Sequence, residues 1–130
     1  MAQENLELAR ELLDAFKRHD AEAAVDLIDP GAEFYALGAN GDERIYLGHD
    51  GVRQYLEDVT QAGHELELLP QEYHEVGEYV VALGMIHARS DAKYLAESVA
   101  WVWKIERGKA VWGRVYTDPD EALAAMGLDE

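Results

Sequence analysis

The sequence contains no cysteine in its 130 residues. Without thiols it forms no disulfide, offers no thiolate nucleophile and cannot build the commonest structural zinc sites. Basic residues are scarce as well, with 11 Lys and Arg against 27 Asp and Glu, so the formal net charge is −16. Such a charge repels phosphate backbones and anionic lipid surfaces. We therefore expect neither a nucleic-acid partner nor a membrane partner.

Long apolar runs are also missing from the chain. No stretch approaches the roughly 20 apolar residues of a membrane span, and the N-terminus does not have the pattern of a secretory signal. These absences predict a cytoplasmic protein. Hydrophobic residues still make up 48% of the sequence, which is enough to form a core, and the length suits a single domain spanning residues 1–130.

The first half of the chain has mostly helical periodicity. Apolar residues recur every three or four positions from Glu4 to Arg18, and Asp20 is a good N-cap for a second helix that Asp29-Pro30-Gly31 would end. After Gly48 the same spacing returns and predicts a third helix. The predicted elements are helices at 4–18, 20–28 and 48–62, short strands at 32–37 and 45–47, and a turn at 38–42.

The second half changes to an alternating pattern that is typical of strands. Three turn signals divide it into four predicted strands at 65–76, 79–89, 94–106 and 109–117. Connections this short force antiparallel pairing. Pro70 indicates a bulge or a sheet edge, and a last short helix is predicted from Asp118 to Gly127.

This order of elements predicts an α+β fold. We expect a cone-shaped, curved antiparallel sheet, a cystatin-like α+β barrel, with the N-terminal helices packed over its concave face. A hollow between a long helix and a curved sheet is a common ligand site.

Three stretches resemble SnoaL-like proteins of the nuclear transport factor 2-like superfamily, which also includes ketosteroid isomerases, limonene epoxide hydrolases and polyketide cyclases. The stretches are Tyr46-Leu47-Gly48-His49-Asp50-Gly51-Val52-Arg53-Gln54-Tyr55-Leu56, Ala100-Trp101-Val102-Trp103 before Gly108-Lys109, and Arg114-Val115-Tyr116-Thr117-Asp118 before Glu121-Ala122-Leu123. The resemblance implies a homodimer and, in the enzymes, carboxylates inside the hollow. Those carboxylate positions fall on Val115, near Ala36 and near Trp101, so the known catalytic sets are missing.

Apolar side chains replace these carboxylates in the predicted hollow. Alternation places Trp101, Trp103 and Ile105 on one strand face, with Val111, Gly113 and Val115 beside them. Gly113 opposite a tryptophan would leave room for a flat ligand, although both tryptophans could simply fill the core. The predicted pocket comprises Leu12, Phe16, Tyr35, Tyr55, Leu83, Met85, His87, Trp101, Trp103, Gly113 and Val115.

Two residues are candidates for acid–base chemistry. His87 alternates with Val81, Leu83 and Met85, and an imidazole pointing into the hollow could act as a general base. In the opposite register Ala82, Gly84 and Ile86 point inward and His87 faces solvent. Tyr35 could donate a hydrogen bond to a ligand oxygen, as could Tyr55 or Tyr116.

Three functions remain open on this sequence. The leading hypothesis is a small-molecule binding domain for a compact or polycyclic organic ligand. The alternative is an acid–base enzyme of the cyclase, isomerase, dehydratase or epoxide hydrolase type with relocated catalytic groups. In the third, the convex face mediates dimerisation. The residues suggested for that face are Val80, Ala82, Val102 and Trp112.

We expect no metal and no cofactor. Glu72 with His74, and His49 with Asp50, are pairs of possible ligands, but two ligands do not make a metal site.

Overall fold

The computed structural model describes residues 2–37, 43–61, 65–90 and 93–127. The elements in these ranges are α1 (Ala2–Lys17), α2 (Ala21–Val25), β1 (Ile28–Leu37), β2 (Glu43–Leu47), α3 (Gly48–Gln61), β3 (Glu65–Val76), β4 (Tyr79–Ser90), β5 (Lys93–Glu106), β6 (Lys109–Tyr116) and α4 (Pro119–Ala125). None of the helices described is long and apolar enough to cross a membrane. The turn predicted at 38–42, the helix end near 62–63 and part of the turn at 90–91 lie outside the described residues.

The six strands form one sheet in the order β2-β1-β6-β5-β4-β3. This confirms the predicted α+β fold, although the sheet is mixed and open rather than wholly antiparallel, because β1 pairs with β6 in parallel. Short hairpins impose antiparallel pairing on β3 to β6, whereas the long chain segment between β1 and β6 allows either direction. The sheet edges in the described structure are β2 and β3.

Two irregularities change which residues face the helices. The β3–β4 register shifts between Pro70 and Glu72, which confirms the bulge predicted at Pro70 on an edge strand. A second shift, in the β5–β6 pair, separates Lys104 from Ile105. As a result Ala110, and not the predicted Val111, is buried in the core beside Ile105.

The second helix is shorter than predicted. It ends at Val25, and Ile28 already begins β1. The backbone explains the difference, since the Leu27 carbonyl accepts a hydrogen bond from the Ala110 amide at 2.9 Å. Sheet pairing to β6 therefore replaces another helical turn.

The sheet has two differently covered faces, which we call the inner and the outer face. The inner face carries the main core beneath the apolar stripe of α1, which packs on β3, while α3 packs on β1 and β2. The outer face carries a smaller cluster covered by Ala122 of α4. Asp118 caps α4 by accepting a hydrogen bond from the Asp120 amide at 3.0 Å.

Candidate functional site

The candidate site is the inner face of the sheet. Strand register aligns one inner-facing residue from each strand in a row that crosses all six strands, because the pairings are continuous at this level. Apart from one glutamate at the β3 end, the row is apolar or aromatic. From β3 to β2 the row is Glu75, Val80, Trp103, Gly113, Phe34 and Tyr46.

Five aromatic side chains fill the β1–β2 half of the hollow. Phe34 stacks on Trp103 with ring centroids 5.4 Å apart and contacts Tyr55 edge-on at 5.1 Å. Phe16 of α1 lies 5.7 Å from Trp103, and Tyr46 lies 5.3 Å from Tyr55. We call Phe16, Phe34, Tyr46, Tyr55 and Trp103 the aromatic cluster. Its close packing makes this half of the hollow a core.

Gly113 is needed for this packing. A Cβ atom at Gly113 would lie 2.3 Å from Cζ3 and 2.4 Å from Cε3 of Trp103. The prediction that Gly113 leaves room for a flat ligand is therefore wrong, because the indole of Trp103 occupies that space. What remains is a cavity of about 10 Å³ between Trp103, Gly113 and the β1–α3 side. This volume suits about one water molecule.

The β4–β6 side of the hollow is apolar and less completely covered. Trp101 is 2% exposed and pairs with Val115 across β5 and β6. Val115 and Ile86 are only half-buried and pack against the main core. Leu12 of α1 is fully buried in the same core. Accessible apolar surface on the inner face is therefore found at Val115, beside Trp101, and at Ile86, which pairs with Glu97 further along β5.

The inward orientation predicted for one face of β4 is wrong. Ala82 and Ile86 belong to or pack against the main core, whereas Val81 and Leu83 lie in the outer cluster under α4. The pairing of β4 with β5 continues without a bulge to Ser90, so strand alternation also puts Met85 and His87 on the outer face. Leu83, Met85 and His87 are consequently separated from the other predicted pocket residues.

Neither predicted acid–base residue points into the hollow. On the outer face, Nδ1 of His87 lies 3.7 Å from Oε1 of Glu67. Tyr35 is also on the outer face, with its ring 6.0 Å from that of Trp112 and its hydroxyl donating to Glu33 at 3.4 Å. Tyr116 packs against the outer cluster as well.

The tyrosines of the aromatic cluster are on the inner face, where burial changes their acidity. Burial raises the pKa of Tyr55 to about 12, and the nearby Tyr46 contributes to the increase. Burial also raises the pKa of Tyr46, whose hydroxyl donates to Oδ2 of Asp58 at 3.0 Å. Gln54 donates to the other oxygen of Asp58 at 2.7 Å. This arrangement joins β2 to α3.

Two polar groups on the inner face were missed at the sequence level. Oε2 of Glu75 and Nε1 of Trp103 are buried without a hydrogen-bond partner in the described structure. The bulge after Pro70 reverses strand parity and turns Tyr73 and Glu75 inward, opposite Ala82 and Val80. If the inward and outward pattern of β3 is shifted by one residue after Pro70, as the predicted bulge requires, Glu75 is predicted to face inward.

The described residues contain no group of three or more His, Asp or Glu side chains that could hold a metal ion. Nε2 of His74 lies 3.3 Å from Oε2 of Glu72, on the outer face. Nε2 of His49 lies 2.6 Å from the Ile28 carbonyl, so a hydrogen bond already occupies it.

Known proteins resemble this chain in sequence and in fold. The model of a family described as SnoaL-like domains matches residues 9–112. No curated protein matches the chain.

Solved structures with the same fold cover nearly the whole chain. A nuclear transport factor 2-like protein of unknown function from Burkholderia pseudomallei is 26% identical, with 95% of this chain and 97% of that chain covered and a TM-score of 0.77. TerC, co-crystallised with polyporic acid, is 22% identical over 95% and 98% of the two chains, with a TM-score of 0.75. A putative polyketide cyclase from Xanthomonas campestris is 14% identical over 96% and 98%, with a TM-score of 0.72.

Proposed function

Because this chain belongs to the family of SnoaL-like domains, we propose that it is a small-molecule binding domain whose inner sheet face takes a compact or polycyclic apolar organic ligand. The observation that carries the proposal is the half-buried apolar surface of Val115, which pairs with the buried Trp101, and of Ile86, which lies further along the inner face of β4. Removing such surface from water favours binding without any specific polar contact.

The position of this surface also supports the proposal. Val115 is the next inner-facing residue of β6 after Gly113, and Gly113 contacts Trp103 of the aromatic cluster, so a ligand at Val115 would lie against closely packed rings. Preorganisation lowers the ordering cost of binding. The co-crystallisation of TerC with polyporic acid is a finding about that protein, and it makes small-molecule binding a reasonable use of this fold.

Naphthalene is a suitable probe because it is flat, neutral and without hydrogen-bonding groups. We expect it to raise the melting temperature of the wild-type protein, since a ligand that binds the folded state stabilises it. Ile86→Asn should abolish the increase, whereas His87→Asn, the adjacent change on the outer face, should leave it intact. A wild-type melting temperature that does not respond to naphthalene would refute the proposal.

Acid–base catalysis is a second candidate, favoured by Glu75 rather than by His87 or Tyr35. Glu75 lies on the inner face two residues from Tyr73, and one of its carboxylate oxygens is buried without a partner. A carboxylate in such a setting can abstract a proton from carbon.

Exchange of the α-protons of 2-tetralone in deuterated water tests this candidate. The enzyme hypothesis predicts exchange faster than in buffer and a loss of about a hundredfold in Glu75→Gln. Glu72→Gln, on the outer face of the same strand, is the matched control. Exchange at the buffer rate in the wild type would leave binding as the sole function of the inner face.

We further propose that two copies pair through the outer face. Ile45 and Leu47 of the edge strand β2 are 55% and 62% exposed there, next to the half-buried Tyr35 and Trp112. Of the residues predicted for this face, Val102 and Trp112 belong to or pack against the outer cluster. The prediction for Val80 and Ala82 is wrong, because both are completely buried in the inner core.

Sedimentation at low protein concentration tests this pairing. The wild type should sediment as a dimer, and the double variant Ile45→Asp/Leu47→Asp as a folded monomer, since two charges would face each other across the contact. A monomeric wild type would contradict the pairing.

A further inference from the structure

Strand β5 extends beyond its neighbour β6 at one end. Its pairing with β6 stops at Ala100, which lies opposite Tyr116, the last residue of β6. Its pairing with β4, on the other side, continues to Lys93 opposite Ser90. Within the described ranges, residues 93–99 of β5 therefore have a partner strand on one side only. We call this segment the open edge of β5.

The chain leaves the line of β6 where the open edge begins. Asp118 caps α4, and Pro119 has no N–H group with which to continue a strand ladder. Ala122 of α4 is buried in the outer cluster together with Ala100 and Val102. Helix α4 therefore lies over the outer face of the paired part of β5, and it does not continue the sheet beside the open edge.

The direction of the backbone groups along β5 follows from one hydrogen bond. The Ile105 amide donates to the Glu78 carbonyl at 2.8 Å, on the β4 side of the strand. Backbone groups alternate between the two sides of a strand, and the β4–β5 pairing has no bulge, so the even-numbered residues direct theirs away from β4. On the open edge these residues include Ala96 and Ser98, and both are exposed. Each offers a donor and an acceptor to an added strand.

The side chains of the open edge define which residues an added strand should carry. Val99 and Glu97 face inward, like Trp101, and Glu97 is exposed. A strand that continues the line of β6 would place one inward residue opposite Val99, roughly 7 Å beyond Val115. An apolar side chain there would cover the half-buried Val115. The next inward residue would lie opposite Glu97, where a basic side chain is favoured.

The charge around the open edge selects its partner. Four exposed carboxylates border it, namely Glu97 on the edge itself and Asp118, Asp120 and Glu121 in the chain that follows β6. The guanidinium of Arg114, on β6, lies over the rings of Tyr35 and Tyr116. A second copy would bring the same carboxylates and its own net charge of −16 to the contact, which opposes edge-to-edge pairing. A basic segment is complementary to this surface.

We propose that the open edge of β5 binds an extended basic peptide, which adds to the sheet as a strand antiparallel to β5. The backbone groups of Ala96 and Ser98 hold the peptide. An apolar residue opposite Val99 and a Lys or Arg opposite Glu97 give the contact its specificity. This interaction does not depend on small-molecule binding by the inner face.

The hexapeptide acetyl-Val-Thr-Lys-Thr-Lys-Thr-amide is a suitable probe, because it places its valine opposite Val99 and its first lysine opposite Glu97. Nuclear magnetic resonance titration measures both the affinity and the location of binding. The Ala96 and Ser98 amide signals should shift, and their hydrogen exchange should slow. The same peptide with glutamate in place of both lysines should bind at least about tenfold more weakly.

Methylation of peptide backbone nitrogens provides a matched control. The first two threonines lie opposite Ser98 and Ala96, so their amides face β5. N-methylation of these two threonines should weaken binding by more than about tenfold, because two hydrogen bonds are lost. N-methylation of the two lysines, whose amides point away from β5, should change the affinity by less than about threefold.

Charge reversal in the protein tests the assigned contact. Glu97→Lys should reverse the preference between the lysine and glutamate peptides, whereas Glu72→Lys, the same change on the outer face of β3, should keep it. Equal affinity for the two peptides, equal effects of the two methylation patterns, or unchanged Ala96 and Ser98 signals would overturn the proposal. Protection of these amides that grows with protein concentration, without peptide, would overturn it too, because a second copy would then occupy the edge.

Discussion

The two faces of β4 carry apolar side chains of similar size in different surroundings. Val80 and Ala82 on the inner face lie in the main core, and Val81 and Leu83 on the outer face meet α4. A strand that is apolar on both faces does not reveal which face borders a ligand site. What distinguishes the inner face of β4 is its partners on β5, since Val80 and Ala82 pair with Trp103 and Trp101, whereas Val81 and Leu83 pair with the smaller Val102 and Ala100.

The largest expected effect comes from adjacent residues on opposite faces of β1. Phe34→Ala removes a ring that contacts four members of the hollow and should lower the free energy of unfolding by about 3–5 kcal/mol. Tyr35→Ala, on the half-exposed outer side, should cost about 1 kcal/mol. Urea denaturation measures both. Equal losses would erase the distinction between the faces.

The next effect concerns the contact of Gly113 with Trp103. Gly113→Ala should destabilise the protein by about 1–3 kcal/mol, because the added methyl overlaps the indole. In the double variant with Trp103→Phe, the smaller ring should relieve part of that loss. The destabilisation of the double variant should therefore be less than the sum of the two single losses. Strict additivity in urea denaturation would contradict the packing described.

A smaller loss of stability is expected when α4, the helix that covers the outer face, loses its N-cap. Asp118→Ala removes the N-cap of α4 and should cost about 1 kcal/mol. Hydrogen exchange should speed up in α4 and leave the α1 amides unchanged, since α1 covers the other face. Equal acceleration in both helices would show that the two covers are not independent.

The smallest effect at neutral pH is expected for Tyr55→Phe, which should change stability by less than about 1 kcal/mol. At alkaline pH the inner-face hydroxyl matters, because the folded pKa of Tyr55 is about 12 against an ordinary value of 10.0. Its contribution is complete below pH 10 and is lost as the pH rises from about 10 to about 12. Tyr55→Phe should therefore unfold less steeply in that interval. Identical alkaline unfolding curves would contradict the burial of this phenol.

Much of the fold was predictable because periodicity reports local structure directly. The spacing of Leu8, Leu12 and Phe16 predicted α1, and three tight turns predicted the antiparallel order of β3 to β6. The parallel β1–β6 pair was not predictable, because a long connection imposes no direction. Likewise, the hydrogen bond from the Ala110 amide to the Leu27 carbonyl ended α2 early through a contact distant in sequence.

The candidate site was predicted only in part. Trp101, Trp103 and Val115 face inward as expected, since the two tryptophans alternate with the smaller Ala100 and Val102 on β5 and Val115 pairs with Trp101. His87 does not, because apolar residues on both faces of β4 satisfy either register until the position of α4 is known. The inward orientation of Glu75 could be predicted only by following the effect of the bulge at Pro70. That bulge is a one-residue shift, and it reverses which side chains of β3 point inward.

Methyl-detected nuclear magnetic resonance during a naphthalene titration shows directly whether the inner face binds an apolar ligand at Ile86 and Val115. We expect the methyl signals of Ile86 and Val115 to shift and saturate together, while those of Ile45 and Leu47 on the outer face stay unchanged. Shifts confined to Ile45 and Leu47, or no shifts at all, would contradict it.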